Sequence, residues 1–120
     1  MALIDWTQHK AHPLGKRNCR VYSWPLTAGD TYVPLPVGGY QDCTVYFTGS
    51  LGGACGFEMS PDPDDATAYV TAVDAHDGAA ISGKTTASAW QILTRGYFGR
   101  PTAGAGVAAT RCWVVLNSSK

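Results

Sequence analysis

One alternating run, residues 39–49 (Gly-Tyr-Gln-Asp-Cys-Thr-Val-Tyr-Phe-Thr-Gly), constrains the fold more than any other stretch. Cys43, Val45 and Phe47 fall on one side of it, and Asp42, Thr44, Tyr46 and Thr48 on the other. That period of two belongs to a pleated strand, in which successive side chains point to opposite faces. Its β-branched and aromatic residues suit a half-buried sheet surface. Ser50-Leu51-Gly52-Gly53 reads as a turn after it, and residues 54–59 as the returning partner strand of a hairpin. Such a hairpin sets Phe47, not Cys43, opposite Cys55.

The same pattern recurs along the chain. Residues 19–24 are the next clear strand, followed by a Thr27-Ala28-Gly29-Asp30 turn in which Gly29 is free to take positive φ. Residues 31–37 are extended, but Pro34 and Pro36 each remove a ladder donor and assign them to a sheet edge or an irregular segment. Residues 60–65 form a loop by composition. Beyond it, residues 67–73 alternate, 74–78 turn, 79–82 make a short strand, and 85–94 a longer one continued by 97–101. Residues 107–116 close the domain, with Cys112, Val114 and Leu116 inward and Arg111, Trp113 and Val115 on the other face. No window carries helical periodicity. Short strands between turn signals predict an all-β antiparallel β-sandwich, jelly-roll-like or Ig-like.

Residues 1–18 read differently. An apolar start is followed by a polar stretch with no consistent period, so an irregular N-terminal arm (1–18) is expected ahead of a sandwich domain (19–120). The start also lacks a basic region and a long apolar run, so no signal peptide is expected and folding is placed in the cytoplasm of the cell that makes the chain. No stretch approaches the roughly 20 apolar residues of a membrane span.

Charge narrows the function classes. Formal net charge is zero and only 15% of residues are charged, which argues against a sequence-independent nucleic-acid binder. Four cysteines, Cys19, Cys43, Cys55 and Cys112, contain no C-x-x-C pair, and a zinc site normally needs close ligand pairs. They are expected as thiols, most of them small core hydrophobes. Asp62, Asp64 and Asp65, with Asp74 and Asp77, have the oxygen chemistry for calcium. Their spacing does not match an EF-hand, and Asp-Pro and Asp-Gly steps are ordinary turn chemistry. His76 lies beside Asp74 and Asp77, but neither Ser82 nor Thr85 has the context of an activated nucleophile. The lone glutamate, Glu58, has no evident carboxylate partner. The chain is therefore read as a non-enzyme without metal or cofactor. Its aromatics, Trp6, Trp24, Trp90 and Trp113, fit either a platform for sugar rings or a core residue (Trp90) plus subunit contacts, and the latter is favoured.

Several motifs together resemble a known group. They are Arg20-Val21-Tyr22-Ser23-Trp24, Ala28-Gly29-Asp30-Thr31 with Val33-Pro34, and Gly39-Tyr40-x-Asp42-x-Thr44-Val45. Thr48-Gly49-x-x-Gly52-Gly53-Ala54 follows, then Tyr97-Phe98-x-Arg100-Pro101 before a Gly-rich turn and a final apolar strand. The pattern resembles small β-sandwich proteins encoded among the virion-structure genes of tailed bacteriophages. Residues 60–69 depart from the group's usual Gly-Ser-Asn-Asp-Gly-Thr-x-Trp loop, and the arm has no counterpart in it.

The resemblance implies a capsid decoration, or cement, protein on the virion surface. Its partners would be the major capsid protein and its own copies in a homotrimer or other symmetric homo-oligomer. No direct contact with nucleic acid or membrane is expected. Partner-binding candidates are Leu3, Ile4, Trp6, His9, Lys10 and His12 of the arm, with Trp24 and Trp113 of the domain. Deleting residues 1–18 is expected to abolish docking and leave a folded domain. A glycan-binding β-sandwich module and a tail adaptor or fibre-associated virion protein are the alternatives.

Overall fold

The alternation of the 42–49 run is realised as a central strand, but not as half of a hairpin. A computed structural model describes residues 3–10, 19–40, 42–93 and 97–117. Among them the strands are β1 (Leu3–Ile4), β2 (Thr7–His9), β3 (Cys19–Leu26), β4 (Thr31–Tyr32), β5 (Leu35–Pro36) and β6 (Asp42–Gly49). β7 (Cys55–Ser60), β8 (Val70–Thr71), β9 (Ser88–Gln91), β10 (Phe98–Ala103) and β11 (Thr110–Asn117) complete the set. One sheet has the order β2-β3-β11-β6-β9 and the other β5-β10-β7-β8, while β1 and β4 form a small parallel pair. All other strand pairs are antiparallel, so the fold is the expected all-β sandwich.

Inward residues of both sheets share one core. Trp24 and Leu26 of β3, Val45 and Phe47 of β6, and Cys112, Val114 and Leu116 of β11 join Cys55, Phe57 and Met59 of β7. Trp24 reaches across to Phe57, ring centroids 6.3 Å apart, and its indole N–H donates to the Val33 carbonyl at 3.0 Å. The Thr27–Asp30 turn forms as expected, with Gly29 at φ 84°. Tyr32 staples it, since its hydroxyl donates to Thr27 O and accepts from Thr27 N. Burial pushes the Tyr32 phenol up. β5, with Pro36, lies at a sheet edge where a missing N–H costs least. All four cysteines are free thiols, three of them buried, and burial holds the Cys112 thiol well above its usual range.

Four expectations need correction. β6 and β7 lie in different sheets, so Cys55 pairs with Ala103 and Phe47 with Cys112. The supposed turn is a crossover, and Leu51, only 2% exposed, drops its side chain into the core between the layers. Residues 97–101 do not continue β9, because β10 pairs with β5 and β7 in the opposite sheet. Residues 79–82 form only an isolated Val73–Ala80 bridge. The 67–73 stretch begins in a 3-10 turn, Ala66–Ala68, capped by the Asp65 carboxylate, and leaves only the two-residue β8.

The N-terminal reading also changes. Residues 3–10 are not an irregular arm: β1 runs parallel to β4, and β2 adds an edge strand to β3. Local polarity hid this, because an edge strand needs little apolar surface when its neighbour supplies the ladder. Ile4 and Trp6 pack on the core, and Trp6 meets Tyr22 edge-on at 5.2 Å. Residues 11–18, including His12, lie outside the described residues. Deleting residues 1–18 is therefore expected to lower folding stability by about 2–4 kcal/mol, the scale for exposing two partly buried apolar side chains and a strand edge. Chemical denaturation of the truncated chain checks this; an unchanged midpoint would return these residues to the status of an appendage. Among the described residues, no helix is long and apolar enough to cross a membrane.

Candidate functional site on the outer sheet face

Cross-strand register assembles a site that no single segment contains. Because Trp113 stands opposite Ser23 on one side and Tyr46 on the other, those residues share the outer face of the five-stranded sheet. The next outward row holds His9, Val21, Val115 and Thr44. Arg111, Pro25 and Thr48 form the row on the other side of Trp113. The middle of the face is thus apolar and aromatic, and Tyr46 is 40% exposed. A shallow depression there is lined by Tyr46, Thr48, Trp113 and Val115.

A small hydrogen-bonded group fixes the aromatic centre. His9 Nε2 and Ser23 Oγ share a hydrogen bond of 2.6 Å, and Arg111 Nη1 donates to the same oxygen at 2.7 Å. The His9 ring lies 4.7 Å from the Trp113 ring, and the Arg111 guanidinium carbon 5.8 Å from it. Trp113 Nε1 donates to Thr48 Oγ1 at 2.9 Å, which orients the indole across the sheet. Ser23 is small enough to lie beneath the three larger side chains and is fully buried there. Its hydroxyl beside an imidazole has the geometry of a nucleophile and base, yet burial closes it to any substrate. The group fixes the orientation of the His9, Arg111 and Trp113 side chains on this face.

Of the candidate residues, the structure brings together His9 and Trp113. Trp24 is corrected: with no exposed surface it is a core residue and can touch no partner in the folded chain. Trp6 and Ile4 cover the core edge, Leu3 is 68% exposed on β1, and Lys10 is exposed just after β2. The four tryptophans form no common platform, since Trp90 leans inward onto Phe47 at 5.6 Å with the Lys84 ammonium over its ring. Ser23, Arg111, Tyr46 and Thr48 were not candidates, although the outward parity of residues 111, 113 and 115 pointed to this face.

Other polar groups have structural partners. Arg100 Nε donates to Glu58 at 2.6 Å, across the register pair of β10 and β7, and lies over the Tyr69 ring at 3.6 Å. Asp74 binds His76 through its backbone N–H and ring, and these bonds hold its carboxyl below the usual range. The Asp65 carboxyl is likewise held down by Thr67. Among the described residues, no group of three His, Cys, Asp or Glu side chains is placed to hold a metal ion.

Fold and site together define an all-β sandwich with an aromatic and apolar patch on the outer face of its five-stranded sheet. Compared with protein-family models, with curated proteins and with solved structures, the chain matches none.

Proposed function

We propose that this chain is a capsid decoration protein of a tailed bacteriophage, which sets its outer sheet face against the major capsid protein and stabilises the head. The observation that carries this reading is the uncovered apolar face built by Val21, Tyr46, Trp113 and Val115. In an antiparallel sandwich the outer face is normally polar, and contiguous apolar surface marks an interaction site. The motif pattern described above supplies the identity of the partner. A neutral, charge-poor surface suits repeated packing of copies on a lattice, where weak contacts add through multivalency. We expect the chain to act as a symmetric homo-oligomer, with a homotrimer first in line.

The test is the stoichiometry of this chain against the major capsid protein in purified particles, together with the same count for Val115→Asp. A ratio between one-third and one is expected, falling to near zero for the variant while its thermal melting stays close to native. A few copies per particle would move the protein to the tail, as an adaptor or fibre-associated protein. Absence from particles would end the virion reading and leave glycan binding as the class to test.

A further inference from the structure

Arg111 stands at the margin of the apolar face with most of its hydrogen-bonding capacity unused. A guanidinium carries five N–H donors, and among the described residues only Ser23 Oγ accepts from it, at 2.7 Å. The ion pairs among the described residues are His76–Asp74 and Arg100–Glu58, so none of the described carboxylates pairs with Arg111. The carboxylate of the same face, Asp42, sits at the far end of β6, roughly 20 Å from the Arg111 row, and accepts from Gln91 Nε2 at 3.3 Å. The cation is nevertheless held in place, pinned by Ser23 from below and flanked by the Trp113 ring. A pre-positioned, planar donor fork matches a carboxylate or a phosphate, and where the partner is a protein surface that meets the adjoining apolar patch, the complement is a carboxylate set among apolar side chains.

We infer that Arg111 selects the docking partner by pairing with a carboxylate that the capsid subunit presents beside an apolar surface. This rests on the docking reading above and adds the chemistry of the surface it docks on. Area alone gives the face little discrimination. Five strands about 4.8 Å apart, crossed by a strand about 27 Å long, give a flat footprint of roughly 600 Å², and only the middle of it, around Val21, Tyr46, Trp113 and Val115, is apolar. Apolar contact of that size holds weakly and accepts many surfaces, whereas a charge pair rejects those without the matching carboxylate.

The experiment measures binding of the purified full chain to undecorated heads of the phage that encodes it, by co-sedimentation at low and at physiological salt. The variants are Arg111→Gln, Arg111→Lys and Arg111→Glu, with Lys84→Gln as a distant charge control. Arg111→Gln is expected to weaken binding about 10- to 100-fold, the range for a partly desolvated charge-assisted pair, and to lose much of the native salt dependence. Arg111→Lys should retain part of the affinity, Arg111→Glu should leave none detectable, and Lys84→Gln should bind within about twofold of native. Native-like melting of each variant keeps the comparison on binding. Binding of Arg111→Gln within twofold of native, with unchanged salt dependence, would overturn the inference and leave the docking reading standing. Failure of the native chain to bind heads would remove both. A native dimer that dissociates on Arg111→Glu and reforms with added Asp42→Arg would also overturn it, by assigning the carboxylate to a second copy of this chain.

Discussion

Trp24→Ala is expected to cost about 3–5 kcal/mol of folding stability, the range for truncating a fully buried large aromatic. Trp24 has no exposed surface, packs on Phe57 across the two sheets, and satisfies the Val33 carbonyl. Alanine leaves a cavity between the layers and removes that carbonyl's donor at once. For a domain of this size the loss corresponds to a melting point lower by roughly 12–20 °C. Since small domains hold only about 5–15 kcal/mol in total, much of the stability would be gone. Trp24→Phe separates the two causes, keeping most of the packing and losing the hydrogen bond, for about 1–2 kcal/mol. Trp113→Ala, on the outer face, should cost about 1 kcal/mol, mainly its bond to Thr48 and its ring contacts. Urea denaturation of the three variants checks the order. A Trp24→Ala midpoint no lower than that of Trp113→Ala would place Trp24 outside the core.

That contrast shows what the sequence made legible. Alternation assigned the correct faces of β6 and β11, because side-chain direction along a strand is a local property. It also identified the Thr27–Asp30 turn, and backbone chemistry restricted the Pro34–Pro36 segment to a sheet edge or an irregular course, of which β5 takes the edge. The same parity in residues 19–26 puts Trp24 with Leu26, inward, and that signal was available against its choice as a partner contact. Strand partners were not legible. Pairing is decided by residues distant in sequence, and the nearest partner along the chain is a default that a two-layer fold overrides. The site inherits that limit: His9 and Trp113 meet only because β2, β3 and β11 are neighbours in one sheet. Ser23, a small residue in an apolar strand, gains its role only from the three side chains above it. Arg111 was legible as outward-facing, whereas its lack of a carboxylate partner among the described residues became visible only once the register was known.

Gly53→Ala tests the least legible feature, the crossover from β6 to β7. A Cβ at Gly53 would lie 2.2 Å from the Ala105 carbonyl oxygen and 3.0 Å from the Val107 nitrogen. Both are backbone atoms, so neither can swing aside as a side chain would. The two segments are also tied together, since Gly104 N donates to Ala54 O at 2.8 Å and Thr110 Oγ1 to Ser50 O at 3.0 Å. Relief therefore requires parting the crossover from the segment that leads into β11, and the expected cost is about 3 kcal/mol, at the upper end for overpacking. Gly29→Ala is the comparison. Gly29 has φ 84° with nothing within 4 Å of its Cβ position, so only the left-handed backbone penalises alanine there, by about 1 kcal/mol. In a β6–β7 hairpin the order would reverse, because Gly53 would then sit in an open turn with room for a methyl group. Denaturation midpoints of the two variants decide between these arrangements. A Gly53→Ala protein more stable than Gly29→Ala would mean that the two crossovers do not touch, and with them would go the sheet order that places His9, Arg111 and Trp113 on one face.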